Sequence, residues 1–318
     1  NTLLEQFDPH TNYFAPDDKQ KFDESMSGSM EGIGAQLRKK YQNTEITEVI
    51  PGGPAMKQGE LENGDIILKV AQGDEQPVDI AGMRLEKVVK MIKGKKGTTV
   101  KLTVKKADGN VKVIAIVRDK FEIEETFAKS SIIDTPEGKF GIIHLPKFYI
   151  SFENRDGRDA FKDVAKEVEY LKEQKVEGII VDLRNNGGGS LQTVVDMVGL
   201  FIPQGPVVQV KAKTGESDVL YDRDNKTQWT GPLVVLINNY SASASEIFAA
   251  AIQDYNRGLV LGSKHSYGKG TVQNLLDLNR FGNKKIGDLG AMKFTSQKFY
   301  RVNGGSTQLK GVESDLVL

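Results

Sequence analysis

The chain contains no cysteine, which excludes disulfide stapling, thiol catalysis and thiolate metal sites together. Histidine is nearly as scarce. His10, His144 and His265 are the three present, too few and too scattered for a histidine-built metal centre, so neither a metal nor another cofactor is expected. Net charge is missing too: Lys and Arg total 43, and so do Asp and Glu. No overall field therefore gathers a polyanion or an anionic membrane, and nucleic acid is set aside as a partner. The longest apolar runs, such as residues 178–181 and 232–237, fall far short of the ~20 residues of a membrane span. The chain opens at Asn1 without a methionine or a signal-like apolar stretch, so any export signal is expected to lie outside it.

What remains is length and pattern. At 318 residues the chain is long enough for two domains. Residues 1–30 are polar and turn-rich and read as a connector. From 31 to 118 short strands alternate with turns, and Val100, Leu102 and Val104 show the period of two expected of a half-buried strand. One helix interrupts them, with Leu85, Val88, Val89 and Ile92 at helical spacing. From 119 to 318 buried-type strands alternate with helices: strands near 141–145, 178–183, 232–237 and 258–261, and helices near 161–174, 191–201 and 244–255. Such alternation implies a parallel sheet with crossovers. The expected fold class is thus multi-domain α+β and α/β, a β-rich module followed by an α/β core.

Three strands of that core run into unusual loops. One leads into Arg184-Asn185-Asn186-Gly187-Gly188-Gly189, the second into Ser241-Ala242-Ser243-Ala244-Ser245, the third into Ser266-Tyr267-Gly268-Lys269-Gly270. The C-terminal ends of neighbouring parallel strands share one edge of the sheet, where open α/β folds place their ligand sites. A glycine loop can aim backbone N–H groups at a developing oxyanion, a serine at a helix N-terminus is a nucleophile beside further N–H groups, and the third loop supplies an amine. Serine needs a base. His10 lies in the connector, His144 falls in an apolar strand pattern, and His265 is a weak rival. A lysine can act if its pKa, ordinarily near 10.4, falls by roughly three, a difference of about 4 kcal/mol that burial can impose. Tyr267 and Val272 are expected as its apolar walls, and the flanking glycines as the means of close approach to the serine.

Taken singly, a triple glycine is an ordinary loop, Ser-Ala-Ser-Ala-Ser an ordinary helix cap and Lys269 an ordinary surface lysine. Packing does not require the three at successive strand ends. Two other patterns fail on inspection. Gly262 to Lys269 has the wrong glycine spacing for a phosphate loop and lacks its Ser or Thr; Ser266-Tyr-Gly-Lys269 is formally S-x-x-K, but its glycine disfavours the helix that motif needs.

Several segments resemble the tail-specific, or C-terminal processing, serine peptidases of bacteria: residues 8–13 (Asp-Pro-His-Thr-Asn-Tyr), 31–35, 52–55, 182–189, 241–251, 268–273 and 297–308. The resemblance runs along essentially the whole chain and looks most like the periplasmic branch. It implies a Ser/Lys dyad on a crotonase/ClpP-like peptidase core, with Ser243 as nucleophile, Lys269 as general base and Gln273 orienting the lysine. It further implies oxyanion donors at the Ala244 amide and at Gly188, chosen over Gly187 and Gly189. Asp254 matches a position sometimes counted with the site, but eleven helical residues put it about 16 Å along the axis from Ser243; a structural role is expected.

The 31–118 module looks like a PDZ domain. Its loop at Ile33, Gly34 and Ala35 would take a substrate's terminal carboxylate, and an extended peptide would add as a strand beside it, walled by the 82–93 helix. The implied partners are proteins with free apolar C-termini, with an adaptor lipoprotein as a further candidate, and the implied location is periplasmic. The competing reading is a PDZ scaffold whose peptidase-like body is inactive or switched off.

Overall fold

The computed structural model describes residues 2–6, 8–151, 157–223, 225–282 and 287–318. It divides the chain into two compact units, Gly28–Glu124 on one side and Asn1–Ser27 with Glu125–Leu318 on the other. The boundaries expected at 31 and 118 thus move to 28 and 124. Residues 1–27 are no separate connector: they belong to the larger unit, where the strand Asn12–Phe14 pairs antiparallel with Ala291–Tyr300.

The smaller unit is built on an antiparallel sheet in which Ala35–Lys40, Asn43–Val49, Ile66–Gln72, Thr99–Lys105 and Val111–Val117 lie side by side in that order. Val100, Leu102 and Val104 alternate inward and are fully buried, as period-two patterning demands. The helix Leu85–Ile92 closes the core with Val88 and Ile92. Beneath its C-terminal end the buried Arg118 donates to the carbonyls of Ile92 and Met91 and to Gln72 and Thr98. The Ile92 and Met91 carbonyls lie at the helix end, where intrahelical donors run out, and Met91 O also accepts from Gln72 Nε2 at 2.7 Å. The strand Ala35–Lys40 is an edge, with one side unpaired within this sheet.

The larger unit carries the parallel sheet. Its order is Lys129–Thr135, Gly138–His144, Gly178–Asp182, Leu233–Ile237, Leu259–Gly262 and Leu316–Val317, and only the first pairing is antiparallel. The central strands Gly178–Asp182 and Leu233–Ile237 are apolar runs because helices cover the sheet. The helix Ala244–Asp254 is buried nearly all round, from Ala244 to Ile252. Ala249, Ala250 and Ala251 allow close packing, and Phe248 meets the edge of Phe201 with ring centres 5.6 Å apart. A second, antiparallel sheet joins Gly205–Ala212, Ser217–Asp222, Thr271–Asp277 and Ala291–Tyr300 with the N-terminal strand. Sequence patterning does not reveal it.

Candidate active site

The strands ending at Asp182, Ile237 and Gly262 are immediate neighbours, in parallel. Their three following loops therefore emerge at one edge of the sheet, as the alternation requires.

The serine run divides its labour. Ser241 and Ser245 are fully buried and donate to carbonyls of the glycine loop, Ser241 Oγ to Leu183 at 2.8 Å and Ser245 Oγ to Asn186 at 2.8 Å. They fasten one loop to the next. The middle serine, Ser243, is partly accessible and sits immediately before the helix with φ 58° and ψ −111°. For a residue with a side chain this backbone region costs about 1–3 kcal/mol, and such strain persists where the surroundings over-determine it. The following Ala244 amide donates to no group among the described residues, as expected of the first N–H of a helix.

One carboxylate holds this arrangement together, and sequence reasoning missed it. Glu246 is fully buried and accepts from the Ser243 amide at 2.7 Å, the Ser266 hydroxyl at 2.7 Å, the Gly268 amide at 2.6 Å and the Lys269 amide at 3.0 Å. It ties the nucleophile's loop to the lysine's loop. Burial pushes its carboxyl above the usual range, against the pull of those four donors. Ser243 and Glu246 are spaced as a capping box, S-x-x-E before an apolar run, and that was the available signal.

Lys269 is held at both ends of its peptide unit: its amide by Glu246, its carbonyl by the Thr307 hydroxyl at 2.7 Å. Burial lowers the pKa of its amine; the charge of Lys293 lowers it further, while Glu246 and Asp8 raise it. The walls differ from expectation. Tyr267 is 59% exposed, whereas Val272 does pack against the core. The glycines on either side of Lys269 serve the 307–309 segment rather than the serine: a Cβ at Gly268 would lie 3.1 Å from the Leu309 backbone, and one at Gly270 3.0 Å from the Gln308 nitrogen. Gln273 turns its amide nitrogen to Thr271 Oγ1 at 2.9 Å and Thr295 Oγ1 at 3.3 Å. That leaves its carbonyl oxygen as the end able to accept from a lysine. No hydrogen bond links the Ser243 hydroxyl to the Lys269 amine in this structure.

Gly188 needs a correction. Its N–H donates to Asn186 Oδ1 at 2.9 Å and so is not offered to an oxyanion here. What Gly188 provides is room: a Cβ would lie 2.8 Å from Ser243 Cβ and 2.8 Å from the Ala242 carbonyl, at φ 101°. Gly188→Ala should therefore strain the loop by about 1–3 kcal/mol and displace Ser243. We expect at least a tenfold slower reaction of Ser243 with a fluorophosphonate while the circular dichroism spectrum is unchanged; an unchanged rate would show that the contact is slack. Asn186 is the hub of this loop. Fully buried, it donates to Leu145 O at 2.8 Å and accepts from the Ala242 amide at 3.0 Å.

His265 is exposed and directs Nδ1 at the Ser266 carbonyl, 2.7 Å away. His144, also exposed, lies 3.8 Å from Asp182. Asp254 is bound by Arg301 at 2.7 Å and by Asn303 at 2.8 Å, which anchors the far end of the helix.

In the smaller unit the loop before the edge strand leaves the Ile33 and Gly34 amides without an acceptor among the described residues. Their carbonyls are used instead, Ile33 O by the Ala55 amide at 2.7 Å and Gly34 O by the Ile50 amide at 2.9 Å. Gly34 has φ 71°, and a Cβ there would sit 2.9 Å from Gly53 Cα, so glycine is required at this crossing.

A small antiparallel unit whose loop of unused amides lies before an edge strand, and a sheet edge presenting serine, lysine and glycine loops, match a PDZ domain joined to a peptidase core. The family models agree: residues 139–318 match peptidase family S41 and residues 22–105 match the PDZ domain. The chain belongs to peptidase family S41. It is 44% identical over 317 residues to the Tail-specific protease of Haemophilus influenzae, covering 99% of this chain and 44% of that protein. To the probable CtpA-like serine protease of Staphylococcus epidermidis it is 32% identical, over 97% of this chain and 57% of that one. It thus spans about half the length of these relatives. Among solved structures, the photosystem II D1 C-terminal processing protease matches with TM-score 0.56 and 24% identity over 100% of this chain and 80% of its own, a likeness of fold.

Proposed function

We propose that the chain is the PDZ and peptidase part of a serine endopeptidase that recognises the apolar C-terminal tail of a protein and cleaves it through Ser243. The supporting observation is the strained, partly accessible Ser243 at a helix start, joined through buried Glu246 to a lysine whose ammonium form burial disfavours. In the working arrangement the neutral Lys269 amine takes the hydroxyl proton as Ser243 Oγ attacks the scissile carbonyl. The Ala244 amide, with an N–H of the 187–189 loop, receives the negative charge on oxygen. Lysine then returns the proton to the leaving amine, and a water deprotonated by the same lysine hydrolyses the acyl enzyme. Gln273 positions the lysine through its carbonyl oxygen. No step needs a metal, nucleotide or thiol.

The tail binds as an added strand on the Ala35–Lys40 edge, its carboxylate on the Ile33 and Gly34 amides. Substrates are proteins with free apolar C-termini, delivered in the periplasm after export, with an adaptor lipoprotein as a candidate partner. No helix of the described residues is long and apolar enough to cross a membrane.

The test compares wild-type and Ser243→Ala protein on one protein substrate with a free or an amidated C-terminus. Cleavage should require both Ser243 and the free carboxylate, with amidation reducing kcat/KM at least tenfold. Equal cleavage of both tails would remove the PDZ role, and equal cleavage by Ser243→Ala would remove the nucleophile. A switched-off state is the second reading, favoured by the unlinked Ser243 and Lys269 and by the Gly188 amide held on Asn186. It predicts tail binding without fluorophosphonate labelling.

A further inference from the structure

The edge strand and the helix of the PDZ unit run in opposite directions. A Cβ at Gly32 would lie 3.8 Å from Lys93 Cγ, so the loop before the strand sits at the helix's C-terminal end. At the other end the Gly82 amide donates to the Gln42 carbonyl at 2.8 Å. Lys39 Nζ donates there to the Met83 carbonyl at 2.7 Å and to the Gln42 carbonyl at 3.0 Å. Along Ala35–Lys40 burial alternates strictly: Ala35, Leu37 and Lys39 are half-buried, Gln36, Arg38 and Lys40 exposed. The extra residue of its register shift belongs to Asn43–Val49, so the edge strand keeps its alternation unbroken. Ala35 and Leu37 pack against the core that the helix closes, and Lys39 shares their face. The opposite face is already neutralised: Arg38 and Lys40 lie 3.0 and 3.6 Å from Glu45, and Gln36 donates to Glu48. Lys39 is different. Two of its three ammonium hydrogens go to neutral carbonyls, and no carboxylate pairs with it among the described residues. The start of the helix adds exposed Arg84 and Lys87 against Glu86 alone.

We propose that Lys39 makes this groove selective for tails that carry Asp or Glu at the fifth residue from the C-terminus. The inference rests on the PDZ reading above and names the kind of tail it takes. With the tail's carboxylate on the Ile33 and Gly34 amides, its last residue lies level with Ala35, where the edge strand begins. An antiparallel added strand then sets the third residue from the end opposite Leu37 and the fifth opposite Lys39. Directly opposed residues project to the same face. The last and third residues therefore meet the apolar side of the groove, and the fifth meets the ammonium. The fourth projects to the other face, where the basic groups already have Glu45. A negative charge counts at the fifth position and not at the fourth.

Binding is read by fluorescence anisotropy on the full chain carrying Ser243→Ala, so that bound tails are not cut. The probes are labelled peptides with one apolar C-terminal sequence and Glu, Gln or Lys at the fifth residue from the end. The same set with the change at the fourth residue, and an amidated form, complete the series. Glu at the fifth position is expected to bind about three- to fivefold tighter than Gln, the size of a partly exposed ion pair, and Lys weaker by a similar factor. The spread should shrink as salt is raised from about 0.05 M to about 0.5 M. Lys39→Met should abolish the difference between Glu and Gln and leave the Kd of the Gln peptide unchanged, whereas Lys39→Arg should keep the difference. Equal preference at the fourth and fifth positions would mean a diffuse attraction and overturn the proposal. So would the absence of any preference at the fifth, or a preference that survives Lys39→Met. The position scan needs no change in the groove, so it decides even if Lys39→Met does not fold. An amidated peptide that binds as well as the free one would instead sink the PDZ reading, and the proposal with it.

Discussion

Replacing Lys269 by alanine should slow acylation of Ser243 by about 10²–10⁴-fold, the range of a lost general base, without weakening binding of a tail peptide to the PDZ unit. Arginine should be no better, because its guanidinium stays protonated. The variant should also separate activity from stability. The Lys269 pKa is lowered chiefly by burial. The folded chain thus holds that proton less tightly than the unfolded chain does, and stability that is full above the unfolded lysine pKa is lost as pH falls through the folded one. At neutral pH, Lys269→Met removes a group whose protonation opposes folding. Its Tm should be equal to or above that of wild type while labelling is lost. A Met variant with a clearly lower Tm would mean that the lysine is held by partners favouring its charge, contrary to the base assignment.

Substitution of Glu246 should do the reverse, damaging fold and reactivity together. Its carboxylate receives three backbone N–H groups and one hydroxyl in a fully buried setting. Each buried donor left unpaired costs about 1–3 kcal/mol, so Glu246→Ala is expected to lose about 3–5 kcal/mol, comparable to a broken buried ionic contact. Glu246→Gln keeps one acceptor oxygen but turns an NH₂ toward two of the donors. Its Tm should fall less, yet labelling of Ser243 should drop at least tenfold, since the Ser243 and Lys269 amides share one oxygen, Oε2. Chemical denaturation beside labelling kinetics separates the two effects. A Gln variant with wild-type reactivity would show that the shared oxygen holds the loops but not the catalytic geometry.

The parallel sheet was legible because its strands, such as Gly178–Asp182 and Leu233–Ile237, are buried on both faces and read as unbroken apolar runs. The antiparallel sheet was not. Thr271–Asp277 is half-exposed along almost its whole length, so neither face imposes a period. Asn12–Phe14 is three residues long, too short to show a period, and its partner strand lies at the far end of the chain. At the site, the three loops followed from strand order alone. For Gly188, a run of glycines does not record which N–H already has an acceptor; in this structure its N–H donates to Asn186 Oδ1, folded back onto its own loop. Tyr267 was misplaced for a related reason: proximity in sequence to Lys269 does not fix which way an aromatic side chain faces.

The acceptor that occupies Gly188 lies two residues away in the same loop and is itself anchored to Leu145. Releasing that amide toward a substrate oxygen requires a local rotation of one peptide plane, with every strand and helix left in place. Loop motions of this kind run from nanoseconds to microseconds, whereas shifts of whole elements take microseconds to milliseconds. Where the exchange reaches microseconds, relaxation dispersion at the Gly188 nitrogen would register it with the parallel sheet around it unchanged.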